Sequence, residues 1–165
     1  FYSTMAVQGL DKNSDGTYAK DELDPLAKVN VESLKDFDYF TFIRRDEEDV
    51  FLPLKGPEDY WVEYDGKALT LHFTLPLEAP LDPGAKGVSL DVYDPSFFVA
   101  FGFAENDPVK IAGSAAGCAA QIEAPDPQAA EDAKALTESF FSQLGPNSNY
   151  GSQFAQTVMV TCGAQ

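Results

Sequence analysis

Histidine is almost missing from this 165-residue chain, where His72 stands alone. One imidazole cannot build the usual zinc, nickel or copper sites by itself. Basic residues are also scarce: 11 Lys and Arg face 27 acids, for a net charge of −16. Such a field repels nucleic acid and anionic lipid, and both drop out as partners. No apolar run approaches the ~20 residues that cross a bilayer, so membrane insertion is not expected. The sequence has no Gly-x-Ser-x-Gly, no cysteine with a second histidine, and no phosphate-cradling glycine loop. An enzyme is therefore not expected. A carboxylate-based hydrolase is the weakest alternative, because nothing in the sequence selects two catalytic acids from so many.

What is present is a hydrophobic fraction of 44% with 13% aromatics, enough to exclude disorder and to bury a core. The simplest organisation is one domain, residues 1–165. Opening on Phe1 rather than Met, the sequence is expected to start at a processed or truncated end.

The most informative stretch is 11–22, Asp-Lys-Asn-Ser-Asp-Gly-Thr-Tyr-Ala-Lys-Asp-Glu. It fits a twelve-residue EF-hand calcium loop. Asp11, Asn13 and Asp15 hold positions 1, 3 and 5, Gly16 takes the sharp turn at position 6, and Thr17 offers its carbonyl at position 7. Glu22 closes the shell at position 12. Tyr18, at position 8, is expected to face the interior. Ala19 brings no oxygen, so a water fills its vertex. Three carboxylates suit Ca2+ better than Mg2+, which keeps a smaller octahedral shell. The plainer alternative is an acidic turn solvated at the surface.

Around the loop, Phe1–Leu10 reads as an entering helix. Asp24 and Pro25 read as the N-cap and first residue of an interrupted exit helix to about Asp36, with Leu26, Val29, Leu34 and Phe37 on its buried face. Strands are expected from Tyr39 to Ile43 and in a hairpin about Asp65-Gly66. In that hairpin Val62 faces Leu69, Trp61 faces Thr70 and Asp59 faces His72. Further strands are read at Val88–Tyr93, Phe97–Phe103 (central and covered), Val109–Ala112, Cys118–Ile122 and Thr157–Cys162, with a helix over 127–144. The fold class is α+β: an N-terminal EF-hand-like helix-loop-helix (1–37) on a β-rich scaffold (38–165), with one further C-terminal helix. The sheet is mostly antiparallel, and a sandwich is one way for it to close. Cys118 and Cys162 favour a bridge in an exported protein, with two buried thiols as the alternative.

Five stretches together carry a resemblance: Val-Gln-Gly-Leu-Asp-Lys-Asn-Ser-Asp-Gly (7–16), Glu-Ser-Leu-Lys-Asp-Phe-Asp-Tyr-Phe-Thr (32–41), Leu-Thr-Leu-His-Phe-Thr-Leu-Pro-Leu (69–77), Val-Tyr-Asp-Pro-Ser-Phe-Phe (92–98) and Phe-Phe-Ser-Gln-Leu-Gly-Pro (140–146). They resemble the bacterial domain-of-unknown-function 1007 family along essentially the whole chain. The resemblance implies a periplasmic protein of a Gram-negative bacterium. Its members are often labelled substrate-binding components of ABC-type transport systems and often lie beside nickel/cobalt-type transporters. The family pattern carries over at Asp11, Asn13, Asp15, Gly16 and Glu22, and at Cys118 and Cys162. A histidine-containing segment ahead of Phe1, which the resemblance also implies, is not in this sequence. The expectation is a periplasmic Ca2+-binding protein acting as an accessory or substrate-binding-type component of a metal or solute transport system, its partners a divalent ion and a membrane transporter component. The alternative is a receptor for a small solute or transition metal.

Overall fold

The structure, a computed structural model, describes residues 2–45, 50–81, 87–113, 117–125, 127, 128, 131 and 149–163. The fold is α+β, with antiparallel sheets and, among the described residues, one long helix. Two compact units emerge. One joins Phe1–Tyr39 to Pro53–Ala79, and the other joins Phe40–Leu52 to Pro80–Gln165.

The first unit begins with α1 (Tyr2–Ala6), shorter than the expected Phe1–Leu10, and continues through the loop to α2 (Lys20–Leu34). The expected interruption at Pro25 does not occur. Helix α2 starts five residues earlier and runs through the proline. Proline removes one bond to the carbonyl four residues back, that of Asp21. Both residues are exposed, so water can satisfy that carbonyl. Burial of the helix's inner face offsets the loss. That face is Leu23, Ala27 and Val31, at helical spacing. The expected stripe is met in part: Leu26 packs against the core and Leu34 is half-buried, but Val29 and Phe37 are exposed. At about 100° per residue Val29 lies on the far side of the helix from Ala27, so it cannot share the face that Ala27 buries.

Leu23 and Ala27 meet Val7 and Val62 in a core flanked by Leu10, Tyr18, Tyr64 and Leu71, among others. Burying Leu23 contributes about 2 kcal/mol. Val62 comes from the hairpin of β2 (Glu58–Tyr64) and β3 (Leu69–Thr74). The register differs from the sequence reading by two residues: Tyr64 pairs with Leu69, Val62 with Leu71 and Trp61 with His72. The cause is local. Asp65 Oδ1 accepts the amides of both Lys67 and Ala68, each at 2.8 Å, which makes a four-residue connection in place of the two-residue turn. A shift of two preserves the faces. The apolar side survives as expected, while Asp59 falls in an irregular stretch away from His72.

The second unit is a four-stranded antiparallel sheet, ordered β1-β4-β6-β5. Its strands are β1 (Thr41–Arg45), β4 (Val88–Val92), β5 (Cys118–Glu123) and β6 (Thr157–Cys162). Cys118 and Cys162 sit directly opposite each other at the β5–β6 end and are bonded. Closing a 44-residue separation restricts the unfolded chain by at most about 4 kcal/mol. Buried Asp91 on β4 accepts from Arg44 Nη2 at 2.9 Å and from Thr157 Oγ1 at 2.6 Å, pinning three strands together.

The strand expected at Phe97–Phe103 is not formed. Asp94, itself buried, accepts from the Ser96 amide and hydroxyl at 2.8 and 2.7 Å, and from the Phe98 and Val99 amides at 3.0 and 2.9 Å. Those amides are spent on one carboxylate, so they cannot join a ladder. Phe98 is left 91% exposed instead of covered. A short 3-10 helix, Tyr150–Phe154, rests on this turn through Gly151, whose amide donates to Pro95 O at 3.0 Å. A Cβ at Gly151 would collide with the Asp94 carbonyl. Val109–Ala112 is not a strand. The helix expected over 127–144 lies outside the described residues, apart from Pro127, Gln128 and Glu131, which are helical.

Candidate metal centre

The loop between α1 and α2 is shaped by its own acidic and amide side chains turning back onto its backbone. Asp11 Oδ1 accepts the Asp15 amide at 3.2 Å and its Oδ2 the Gly16 amide at 3.0 Å. Asn13 Oδ1 shares the Asp15 amide at 2.9 Å, which brings the Asp11 and Asn13 oxygens within about 6 Å of each other. Asn13 Nδ2 donates to Asp15 Oδ2 at 2.9 Å. Asp15 Oδ1 accepts both the hydroxyl and the amide of Thr17, at 2.6 and 2.7 Å. Those two bonds, hydroxyl first, hold the Asp15 carboxyl below its ordinary value. Gly16 supplies the expected sharp turn with a φ of +82°, a conformation that costs glycine nothing.

Glu22 closes the loop in a different way from its neighbours. Only 4% exposed, it places Oε1 against the Lys12 amide at 2.7 Å and the Asn13 amide at 3.4 Å, and Oε2 against the Ala19 amide at 3.1 Å. Lying at the third residue of α2, it caps the helix in the half of a capping box that Ala19 cannot reciprocate. One carboxylate thus ties the first turn of the loop to the start of the helix. Tyr18 points into the core as expected, edge-on to Tyr64 with centroids 5.3 Å apart.

The five residues singled out as ligands are therefore divided. Asp11, Asn13, Asp15 and Thr17 form one continuous hydrogen-bonded string, and Glu22 faces the loop's opening and closing amides. Among the described residues, no three His, Cys, Asp or Glu side chains gather as a ready metal site. The donor set, carboxylate, amide and carbonyl oxygens alone, fits a hard cation such as calcium. Holding it would require Glu22 to share or release its bonds to Lys12 and Asn13.

His72 does not pair with Asp59. Its ring stacks on Trp61, centroids 4.5 Å apart and 5° from parallel, and its Nε2 lies 3.4 Å from Glu63 Oε2. The two-residue register shift accounts for the change of partner. Two features escaped the sequence reading. The Asp94 cradle lacked a periodic signal, although Asp-Pro-Ser ahead of an apolar run marks a side-chain-capped turn. A groove beside Tyr18, Lys20 and Trp61 depends on how α2 meets β2, which no local pattern encodes.

The disulfide marks an oxidising, extracytoplasmic environment. No helix among the described residues is long and apolar enough to cross a membrane. Over residues 1–162 the chain matches the family described as "Protein of unknown function (DUF1007)", and it belongs to that family. A Haemophilus influenzae protein, described as "Uncharacterized protein", is 25% identical over 125 residues. The match takes in 75% of this chain but 60% of that relative, so the chain spans less than two thirds of its length. No solved structure matches.

Proposed function

We propose that this member of the family is a periplasmic calcium-binding protein whose loop 11–22 works as an EF-hand-like site. Asp11, Asn13, Asp15 and Glu22 would hold the ion through side chains and Thr17 through its carbonyl. The observation that supports this most is Glu22. A carboxylate kept away from solvent and bonded to both ends of an acidic loop is costly unless it serves the loop's shape or charge. Calcium, when bound, supplies the positive charge that offsets Asp11, Asp15 and Glu22. The string of bonds from Asp11 to Thr17 keeps the loop curled without it. The ion's role is then structural, fixing the connection from α1 to α2 over the core formed with the hairpin.

With Ala19 giving no side-chain oxygen, the affinity expected is modest, on the order of 10⁻⁴–10⁻³ M, as in extracellular modules. A compartment open to the outside can meet it. Within the same proposal, the chain serves as an accessory or substrate-binding-type component of a metal or solute transport system, a role resting on its resemblance to proteins so labelled. Thermal unfolding in chelator and in ~10 mM Ca2+ tests the calcium reading. The wild type should melt higher with the ion and Asp15→Ala should not. Equal melting temperatures for the wild type in the two buffers would refute it.

A further inference from the structure

Among the described residues strand β2 pairs with β3 on one side only, the hairpin being a two-stranded sheet. Along its other edge runs an open groove of about 600 Å3, within the range of ligand sites. Tyr18, Lys20 and Leu23 form one wall, and residues 61–65 in unbroken succession form the other. Successive side chains of a strand point to opposite faces. A cleft that touches five in a row therefore follows the strand's edge, where the backbone is.

Antiparallel alternation says which backbone groups meet the groove. The Asp65 amide bonds to Ala68 O at 3.3 Å, closing the hairpin. With Glu63 opposite Thr70 and Trp61 opposite His72, those residues turn their amides and carbonyls to β3. Val62 and Tyr64 turn theirs outward. Those groups face away from β3, on the side where an added strand would lie, with Val62 itself buried and Tyr64 half-buried in the free protein.

We infer that this groove binds an extended peptide segment as a third strand against β2, and that the segment alternates apolar and basic residues. The two walls set that alternation. On the core side, Tyr18, Leu23 and Tyr64 offer apolar and aromatic surface. On the other side stand Trp61, one face of which His72 covers, and the exposed carboxylate of Glu63, with Asp65 beyond. Glu63 accepts from Trp61 Nε1 at 3.4 Å and lies beside His72. The exposed carboxylates make a place for an ammonium or guanidinium. The net charge of −16 favours the same partner by steering. The four β2 residues Trp61–Tyr64, with Asp65 beyond, match a segment about 16 Å long. Main-chain bonds would supply the affinity and the alternate side chains the selectivity.

The inference does not depend on calcium, and the test is run with the ion present at one fixed concentration. The probe is a capped synthetic peptide, Val-Lys-Val-Lys-Val, titrated while the emission of Trp61, the chain's only tryptophan, is recorded. Saturable change is expected, with slowed hydrogen exchange at the Val62 and Tyr64 amides. Glu63→Lys, a surface change, should weaken binding about fivefold. The same peptide N-methylated at alternate amides should not bind. No saturable change up to millimolar peptide would overturn the inference. So would equal binding by the N-methylated peptide or by capped lysine alone, since neither can add a strand.

Discussion

Replacing Glu22 by glutamine removes one negative charge and one acceptor while leaving the side chain's outline almost unchanged. It therefore isolates what the carboxylate does in the metal-free loop. Its two oxygens accept from Lys12 N at 2.7 Å, Asn13 N at 3.4 Å and Ala19 N at 3.1 Å. Glutamine can keep its carbonyl on one of these sides, and it then turns an NH2 toward an N–H on the other. A hydrogen bond to a charged acceptor contributes about 1.5–3 kcal/mol, and an unsatisfied donor costs about 1–3 kcal/mol. Two things reduce the loss. Ala19 is exposed, so its amide can return to water, and removing one of three nearby negative charges relieves repulsion. The net destabilisation expected in chelator is about 1–2 kcal/mol. Urea unfolding should show a lower midpoint with an unchanged slope, the mark of lost stability rather than a changed unfolded state. A midpoint equal to that of the wild type would refute the reading of Glu22 as the tie between loop and helix.

Two other outcomes are expected. Burial alone would raise the Asp94 carboxyl, but hydrogen bonds from the Ser96 hydroxyl and from the Val99, Ser96 and Phe98 amides outweigh it and hold the group below its ordinary 3.8. Its contribution is then complete above that value and lost as pH falls through the lower folded one. Asp94→Asn should be less stable than wild type at neutral pH, and the gap should close in acid. Urea midpoints measured across pH check this, and a gap independent of pH would contradict it. Pro25→Ala should stabilise by about 1 kcal/mol, because it restores the bond to Asp21 O. Thermal unfolding checks it, and a lower melting temperature would mean that proline's restriction of the unfolded chain outweighs that bond.

Where one residue's chemistry dictates its own surroundings, sequence and structure agree. Gly16 turns with positive φ, Tyr18 faces inward, and β6 occupies Thr157–Cys162 as read. The faces of the hairpin also survived, because period-two patterning is indifferent to a shift of two. Its register did not, since a single carboxylate, Asp65, chose the loop length. The same competition dissolved the Phe97–Phe103 strand: strand propensity in its aromatics lost to four hydrogen bonds on Asp94. Helix α2 erred the other way. Pro25 reads locally as a start, yet burial of Leu23 and Ala27 against Val62 is a tertiary term that a local pattern cannot weigh. Identity of the candidate ligands was legible in the loop. That Glu22 holds loop amides apart from the other four donors was not.

The most direct measurement is calorimetric titration of metal-stripped protein with Ca2+, set beside Glu22→Gln. The account predicts one saturable site in the wild type and its loss in the variant. An absence of binding heat that equilibrium dialysis confirms as an absence of bound calcium would contradict it, and so would a variant that takes up the ion as well as the wild type.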